Sequence, residues 1–496
     1  MITFLFVTAV QLVQHRYDRV ESKNLIPLLT QVLRFPTTNA DPEAHKRQRS
    51  WLMSTAHDLG FAFRDTGKVV EVELPATGQL KPPPTLGLVV HGDVQPVDAD
   101  AWSFPPFSGQ VADGFVLGRG SADDKGPLVQ ALLAMAALKN SGVKRTHTIR
   151  LLVGSDEESG STDMTEYLAK HAPPDYSLVL DSSFPVVVGE KAWNSLSVTT
   201  PLAERDASKP YAVTKLTAGL STSIVPDNAE LVLRWSSGAP DWSPLIDELA
   251  AFHMPVGTRL VTKADGDVIR IVAYGHSSHA GMNLEGGRNA LVGLAGAMEG
   301  KLPAGGADDL LAFARIAGAD LYGAGLDISD SDPLWGRYAI NVATIKPDPD
   351  DPKKSTLTIN IRRIPPRTGP QLEQHLKEFV AHFNSQHGAA LVPSGFYEDE
   401  PLSFNPKGKL VRRLLRDYAA ATGEKNPKPA ISGGGTYAKR LPNSIAFGMW
   451  FPDKPYPGHD VDEKNPIADL ERGERVLIRT LVDIATRARI VDPFKP

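Results

Sequence analysis

The sequence predicts an α/β protein whose mostly parallel sheet is covered by helices and which carries an inserted α+β lid. Three observations lead there. Residues 86–90, 148–153 and 177–180 are largely apolar runs, as strands buried on both faces are, and each ends at polar residues: His91, the Asp156-Glu157-Glu158 stretch, and Asp181. Helical segments precede the second and third of these runs, and strands alternating with helices imply parallel pairing. After Gly189-Glu190-Lys191 the texture changes to amphipathic strands near 211–217, 229–235, 267–274 and 355–362, with helices near 244–252, 288–298 and 371–383. Strands of that kind form a sheet with one exposed face. The expected domains are residues 1–194 and 400–496 for the catalytic part and 195–399 for the lid.

In chain order, residues 2–13 are apolar but too short to span a bilayer, contain Thr8 and Gln11, and lack a basic leader. They read as the start of an amphipathic helix running toward Leu33 with a kink at Pro27. A cytoplasmic location is expected, with export left open if the natural start lies upstream. A second helix covers about 43–59 and stops at Gly60, a strand covers 69–74, and Lys81-Pro82-Pro83-Pro84 makes a turn. An apolar helix at 128–139 follows Asp123-Asp124-Lys125-Gly126. Taken alone, that acidic pair reads as a surface loop capping the helix. Past a Pro-bearing acidic connection at 397–406 come a helix at 408–422, the loop Gly433-Gly434-Gly435, an apolar run at 444–450, and a closing helix at 467–487. No internal repeat has a fixed period.

Composition bounds the chemistry. The chain has 496 residues, 42% hydrophobic and 22% charged, so core material is ample for several subdomains. A net charge of −5 gives no global field favouring nucleic acid or an anionic membrane, and the expected partner is a small molecule. Zero cysteines exclude disulfides, thiolate nucleophiles and Cys-ligated zinc, so any metal sits on His and carboxylates.

Ligands of parallel α/β sheets bind beyond the carboxyl ends of the strands. His91, Asp93, Asp123, Glu157, Glu158 and Asp181 converge there, with His459 able to return to the same edge. Adjacent acids repel unless a cation offsets them, and this set can supply a bridging carboxylate with terminal ligands for two hard-to-borderline ions. Each residue alone has a blander reading, a satisfied buried histidine or a solvated acidic loop. Their joint placement after separate strands speaks against coincidence.

The ordered set His91-Gly92-Asp93, Gly118-Arg119-Gly120 with Asp123-Asp124-Lys125-Gly126, Asp156-Glu157-Glu158-Ser159-Gly160 and the late His459 resembles the zinc peptidases related to carboxypeptidase G, aminoacylase, acetylornithine deacetylase and succinyl-diaminopimelate desuccinylase. Asp181-Ser182-Ser183-Phe184-Pro185, Gly433 to Ala438 and Ala446-Phe447-Gly448 resemble the bacterial Xaa-His dipeptidase branch. The resemblance runs from about Leu28 to the C-terminal helix. It implies two divalent ions, zinc foremost with cobalt or manganese as alternatives. Asp123 would bridge them through a cis peptide to Asp124, His91 and Asp181 would complete one site, and Glu158 and His459 the other. Asp93 would accept the second imidazole N–H of His91. Glu157, free of metal, would act as general base, moving a proton from the metal-bridging water to the departing amine. His279 would donate to the carbonyl oxygen, Arg362 would pair with the substrate carboxylate, and Gly434 would line the substrate pocket.

Two departures concern substrate fit: Ser223 stands where relatives carry Asn before Val-Pro-Asp, and the family proline after His279 is missing. The expected reaction is amide hydrolysis of dipeptides or short peptides with a free carboxylate, by a monomer or a lid-mediated homodimer. N-acyl amino acid deacylation with the same centre is the nearest alternative. A catalytically silent metal-binding scaffold is another, and a two-metal phosphoesterase would need more cations than Lys125 and the lid arginines provide.

Overall fold

The computed structural model describes residues 8–78, 81–206 and 208–496, and the chain divides into two compact units. The first runs to Glu190 and resumes over Leu402–Gly458 and Asp462–Pro496; the second holds Lys191–Pro401 and His459–Val461.

In the first unit a six-stranded sheet has the order Ala62–Asp65, Val70–Leu74, Thr148–Gly154, Thr85–His91, Tyr176–Val179, Ser444–Ala446. The last four strands are mutually parallel, and the first two pair antiparallel at one edge. Side-chain alternation explains why the strands read as continuously apolar. Leu86, Leu88 and Val90 pack with the helices Lys125–Asn140 and Ile467–Ala485, whereas Val89 joins Leu152, Val179, Met164 and Tyr437 on the other face. Both faces are therefore covered, each buried Leu or Val contributing roughly 1.5–3 kcal/mol of transfer free energy.

The helix Lys125–Asn140 is buried on all sides through Leu138, as its apolar composition requires. That burial carries the preceding loop inside: Asp123 is 5% exposed and Asp124 0%, which overturns the surface-loop reading.

At the N-terminus, Thr8 and Gln11 are a reciprocal capping box that starts the helix Ala9–Arg19. Residues 2–7, where the expected helix began, lie outside the described residues. The bend expected at Pro27 falls earlier, at Val20 and the 3-10 turn Glu21–Asn24. Pro27 instead sits in the first turn of the helix Leu25–Val32, where its missing N–H would have no partner in the helix anyway.

The second unit is built on an eight-stranded antiparallel sheet, in the order Arg259–Asp265, Val268–Tyr274, Asn228–Trp235, Tyr211–Ala218, Ala339–Pro347, Lys354–Arg363, Ala192–Pro201, Val392–Asp399. Helices Ser243–Ala251, Ala290–Ala297, Gly306–Ala317 and Gly369–His387 complete it. Residues 397–399, expected in the returning connection, instead close the last strand. Pro393 and Gly395 hide that strand in the sequence, and both are tolerated because it lies at the sheet edge. Among the described residues, no helix is long and apolar enough to cross a membrane.

Candidate metal centre

His91 ends the central strand Thr85–His91 and is fully buried. Its Nδ1 lies 3.0 Å from the Asp93 carbonyl oxygen, which can only accept, so Nδ1 carries a proton and Nε2 is the nitrogen that would give up its proton to bind a metal. That Nε2 faces Asp123 Oδ1 at 3.0 Å and Asp181 Oδ2 at 3.8 Å. Asp181 follows the strand Tyr176–Val179, the parallel neighbour of Thr85–His91, so the shared sheet edge brings these groups together. The His91 N–H donates to Asp124 Oδ2 at 3.1 Å, across the cis peptide bond Asp123–Asp124.

Asp93 acts more broadly than as a partner of one imidazole. Its carboxylate stands 3.4 Å from His91 Nδ1 and accepts the backbone N–H groups of Glu157 and Glu158 at 3.3 and 3.0 Å. Glu158 is further held by Gln95, whose Nε2 donates to its side chain at 2.9 Å and its carbonyl at 3.2 Å. Ligand-capable atoms of His91, Glu157 and Asp181, and of His91, Asp123 and Glu158, gather within 4.8 Å of one another.

The donor set fits divalent metal. Burial, reinforced by neighbouring carboxylates, pushes Asp124, Glu157 and Asp181 well above the usual carboxylate range. Burial opposes a charge on His91, but its contacts with Asp123 and Asp93 override this and raise it well above the ordinary value. Crowded buried carboxylates around one imidazole are what a divalent cation can hold together, and imidazole with carboxylates suits zinc, cobalt or manganese.

Three supports were missed in the sequence. Glu463, 0% exposed, gathers Arg119 Nη1 at 2.8 Å and the N–H groups of Gly120, Ala122 and Asp123 at 3.1, 2.8 and 3.3 Å, so one carboxylate shapes the loop that presents Asp123. Arg119, a cation inside a buried loop, was the available signal that an acid must come from elsewhere. Asp163 does the same for the second loop: its Oδ2 accepts from Ser155 N at 2.7 Å, Asp156 N at 3.2 Å and Tyr437 Oη at 2.5 Å. A Cβ on Gly154 would stand 1.9 Å from that hydroxyl, so only glycine fits there. Lys125 is engaged by backbone, its Nζ donating to the carbonyls of Val32 and Phe35 at 3.3 and 2.6 Å.

Gly434 is buried in the loop after the strand Ala430–Ser432, its N–H on Ser432 Oγ at 3.0 Å. The loop's far end is tied down by Glu190, which accepts from Thr436 N and Oγ1 at 3.0 and 2.8 Å.

In the second unit, His279 Nδ1 accepts the N–H groups of Gly281 and Met282 at 2.9 and 3.0 Å, which puts the proton of a neutral ring on Nε2. These two donors occupy the stretch that departs from the family pattern. His459 stacks on His279 with ring centroids 4.2 Å apart, and its Nδ1 donates to the Ser223 carbonyl at 3.3 Å, leaving Nε2 as the lone-pair side. Arg362, 2% exposed, donates from Nε to Asn360 Oδ1 at 2.9 Å and lies 5.7 Å from the Trp193 ring centroid.

A mostly parallel sheet with a histidine and crowded carboxylates at its carboxyl edge defines a metallohydrolase. The chain belongs to peptidase family M20/M25/M40, whose model matches residues 87–483, and it is a metallopeptidase that uses divalent metal and acts on peptide bonds. It is 28% identical over 389 residues to a β-Ala-Xaa dipeptidase of Lactobacillus delbrueckii subsp. lactis, covering 78% of each chain. It is 27% identical over 401 residues to YtjP of Bacillus subtilis (strain 168), covering 81% of this chain and 83% of that one. Its fold is similar to that of human carnosine dipeptidase 1 (TM-score 0.61, 13% identity, 96% and 98% coverage) and of the dipeptidase Dug1p of Saccharomyces cerevisiae (TM-score 0.59, 15% identity, 95% and 98%).

Proposed function

We propose that the protein is a dinuclear metal-dependent dipeptidase with Glu157 as its general base. The observation that carries this reading is His91 Nε2 facing Asp123 and Asp181 beside a pinned Glu157-Glu158 pair. Asp123 would bridge two ions, His91 and Asp181 would complete one site, and Glu158 and His459 the other. Bound zinc, or cobalt or manganese, supplies Lewis acidity toward the amide carbonyl and eases deprotonation of the attacking water.

Glu157 accepts the proton of that water as its oxygen bonds to the carbonyl carbon, and returns it to the amine nitrogen as the C–N bond breaks. His279, with its proton on Nε2, donates to the carbonyl oxygen as negative charge develops. Arg362 pairs with the free carboxylate of the substrate, oriented by Asn360 and Trp193. The Gly434 loop lines the pocket, and the second unit serves as the lid. The name of the Lactobacillus relative supports a small peptide as substrate. The engagement of Lys125 with backbone carbonyls counts against a phosphoesterase, which would need that cation at the site. The assembly expected is a monomer or a homodimer through the lid.

The test is metal-reconstituted wild type and Glu157→Gln, assayed on dipeptides, β-alanyl-histidine and N-acyl amino acids. The variant should bind the same complement of metal and lose about 10²- to 10⁴-fold in rate. Turnover indifferent to Glu157 or to metal removal would defeat the mechanism, and preference for N-acyl amino acids would reassign the substrate.

A further inference from the structure

The helix Lys409–Thr422 places Lys409, Arg412, Arg413 and Arg416 at positions i, i+3, i+4 and i+7, so four cations share one face. Together with Arg489 they line a cleft of about 570 Å³ in the first unit. Like charges at that spacing disfavour a helix, and in a chain of net charge −5 the concentration of cations needs an account. Carboxylates supply part of it. Asp483 serves Arg413 at 2.8 Å, Arg416 at 2.7 Å and Arg487 at 2.8 Å; Asp417 takes Arg416 at 3.0 Å; Asp175 takes Arg489 at 2.6 Å. Lys409 reaches only the Val491 carbonyl, at 3.1 Å, and Arg412 only that of Lys407, at 2.7 Å. Of the five cleft cations, Arg413, Arg416 and Arg489 draw on Asp483, Asp417 and Asp175, of which Asp483 and Asp417 also serve Arg487 and Arg479, and Lys409 and Arg412 have no acid partner among the described residues.

We propose that this cleft binds a small anion carrying several phosphate groups. Guanidinium forks match phosphate oxygens in a planar, two-bond fashion, and several of them within one cleft favour a ligand with more than one charge. The volume is that of ordinary small-molecule sites. The wall also includes Ile490 and Val491, and the latter is 68% exposed, an apolar surface on which an organic group attached to the phosphates can rest. None of these residues takes part in the peptidase chemistry.

The experiment is calorimetric titration of the full-length, metal-loaded protein with tripolyphosphate and with ATP, at a fixed ionic strength of about 0.15 M so that diffuse attraction is screened. Wild type should bind with a saturable, near-equimolar isotherm. The double variant Lys409→Gln/Arg412→Gln, which breaks no ion pair, should bind about tenfold more weakly or worse. A control, Lys23→Gln/Lys46→Gln, should bind as wild type does. Thermal melts check folding, and Arg412→Gln alone carries the same comparison if the double variant melts early. Tighter binding of ATP than of tripolyphosphate would assign the apolar wall to the organic group; equal binding would assign the site to the phosphates alone. No binding by wild type, or equal losses in both double variants, would overturn the proposal. So would attachment to vesicles of anionic phospholipid without binding of the soluble anions, which would reassign the cleft to a lipid surface.

Discussion

The two ends of the parallel sheet surround a buried histidine with different charges. The strand Thr85–His91 is about 20 Å long. Beyond its carboxyl end lie His91 and the crowded acids, whereas His147, just before the neighbouring strand Thr148–Gly154, lies beside the amino ends with Asp175, Arg413 and Arg489. Both histidines are buried, yet they shift in opposite directions. Burial alone would lower each. At His91 the contacts with Asp123 and Asp93 reverse it; at His147 burial prevails, Asp175 offsets little, Arg413 and Arg489 add to it, and the pKa falls to about 4. Burial therefore decides a histidine's charge only where surrounding groups do not outweigh it.

The acidic end is broken most severely by Asp123→Ala. Metal content, measured by elemental analysis, should fall to background and activity by on the order of 10³-fold, whereas Asp124→Ala should retain metal and chiefly disturb geometry. Equal metal content in both variants would remove Asp123 from the bridge. Next comes Glu463→Gln, which keeps an acceptor for the loop amides but takes from buried Arg119 the carboxylate charge that faces it. Stability of the metal-free protein to urea should drop by about 3–5 kcal/mol, and an unchanged midpoint would show that the ion pair is dispensable.

The amino end is sharpened by pH. His147 has a folded pKa of about 4, below the ordinary value of about 6.5, so the unfolded chain binds more protons between those limits. Its contribution is full above about pH 6.5 and is lost as pH falls toward 4, by roughly 3 kcal/mol in all. His147→Gln should therefore be less stable than wild type at neutral pH, with the gap narrowing through this window; a pH-independent gap would refute the assignment. The smallest effect is expected from Tyr437→Phe, which removes the hydroxyl on Asp163 and should cost about 1.5 kcal/mol in urea denaturation.

Much of this was legible from local pattern. The ends of the apolar strands located His91 and Asp181, and the acids of the two loops stood out because they adjoin buried elements. Glu463 did not, because within Asp460-Val461-Asp462-Glu463 it resembles a solvated acidic run, and only packing some 340 residues away buries it. Asp163 and Tyr437, 274 positions apart, escaped for the same reason. The bend before Leu25 was misplaced because proline dominates the local signal although the first helical turn accommodates it. The edge strand Val392–Asp399 was missed because Pro393 and Gly395 suppress the β signal.

The engagement of Lys125 has a consequence for the minimal length of a working enzyme. The match to the family model begins at residue 87, but the ammonium at the start of the central helix is solvated by carbonyls of Val32 and Phe35. Thr37 meanwhile donates to the Gly92 carbonyl at 2.6 Å and accepts from Val94 N at 3.1 Å, bracketing the turn that follows His91. A chain trimmed to the matched residues would strand a positive charge in the core and loosen that turn, so the leading segment behaves as a structural cofactor supplied in cis.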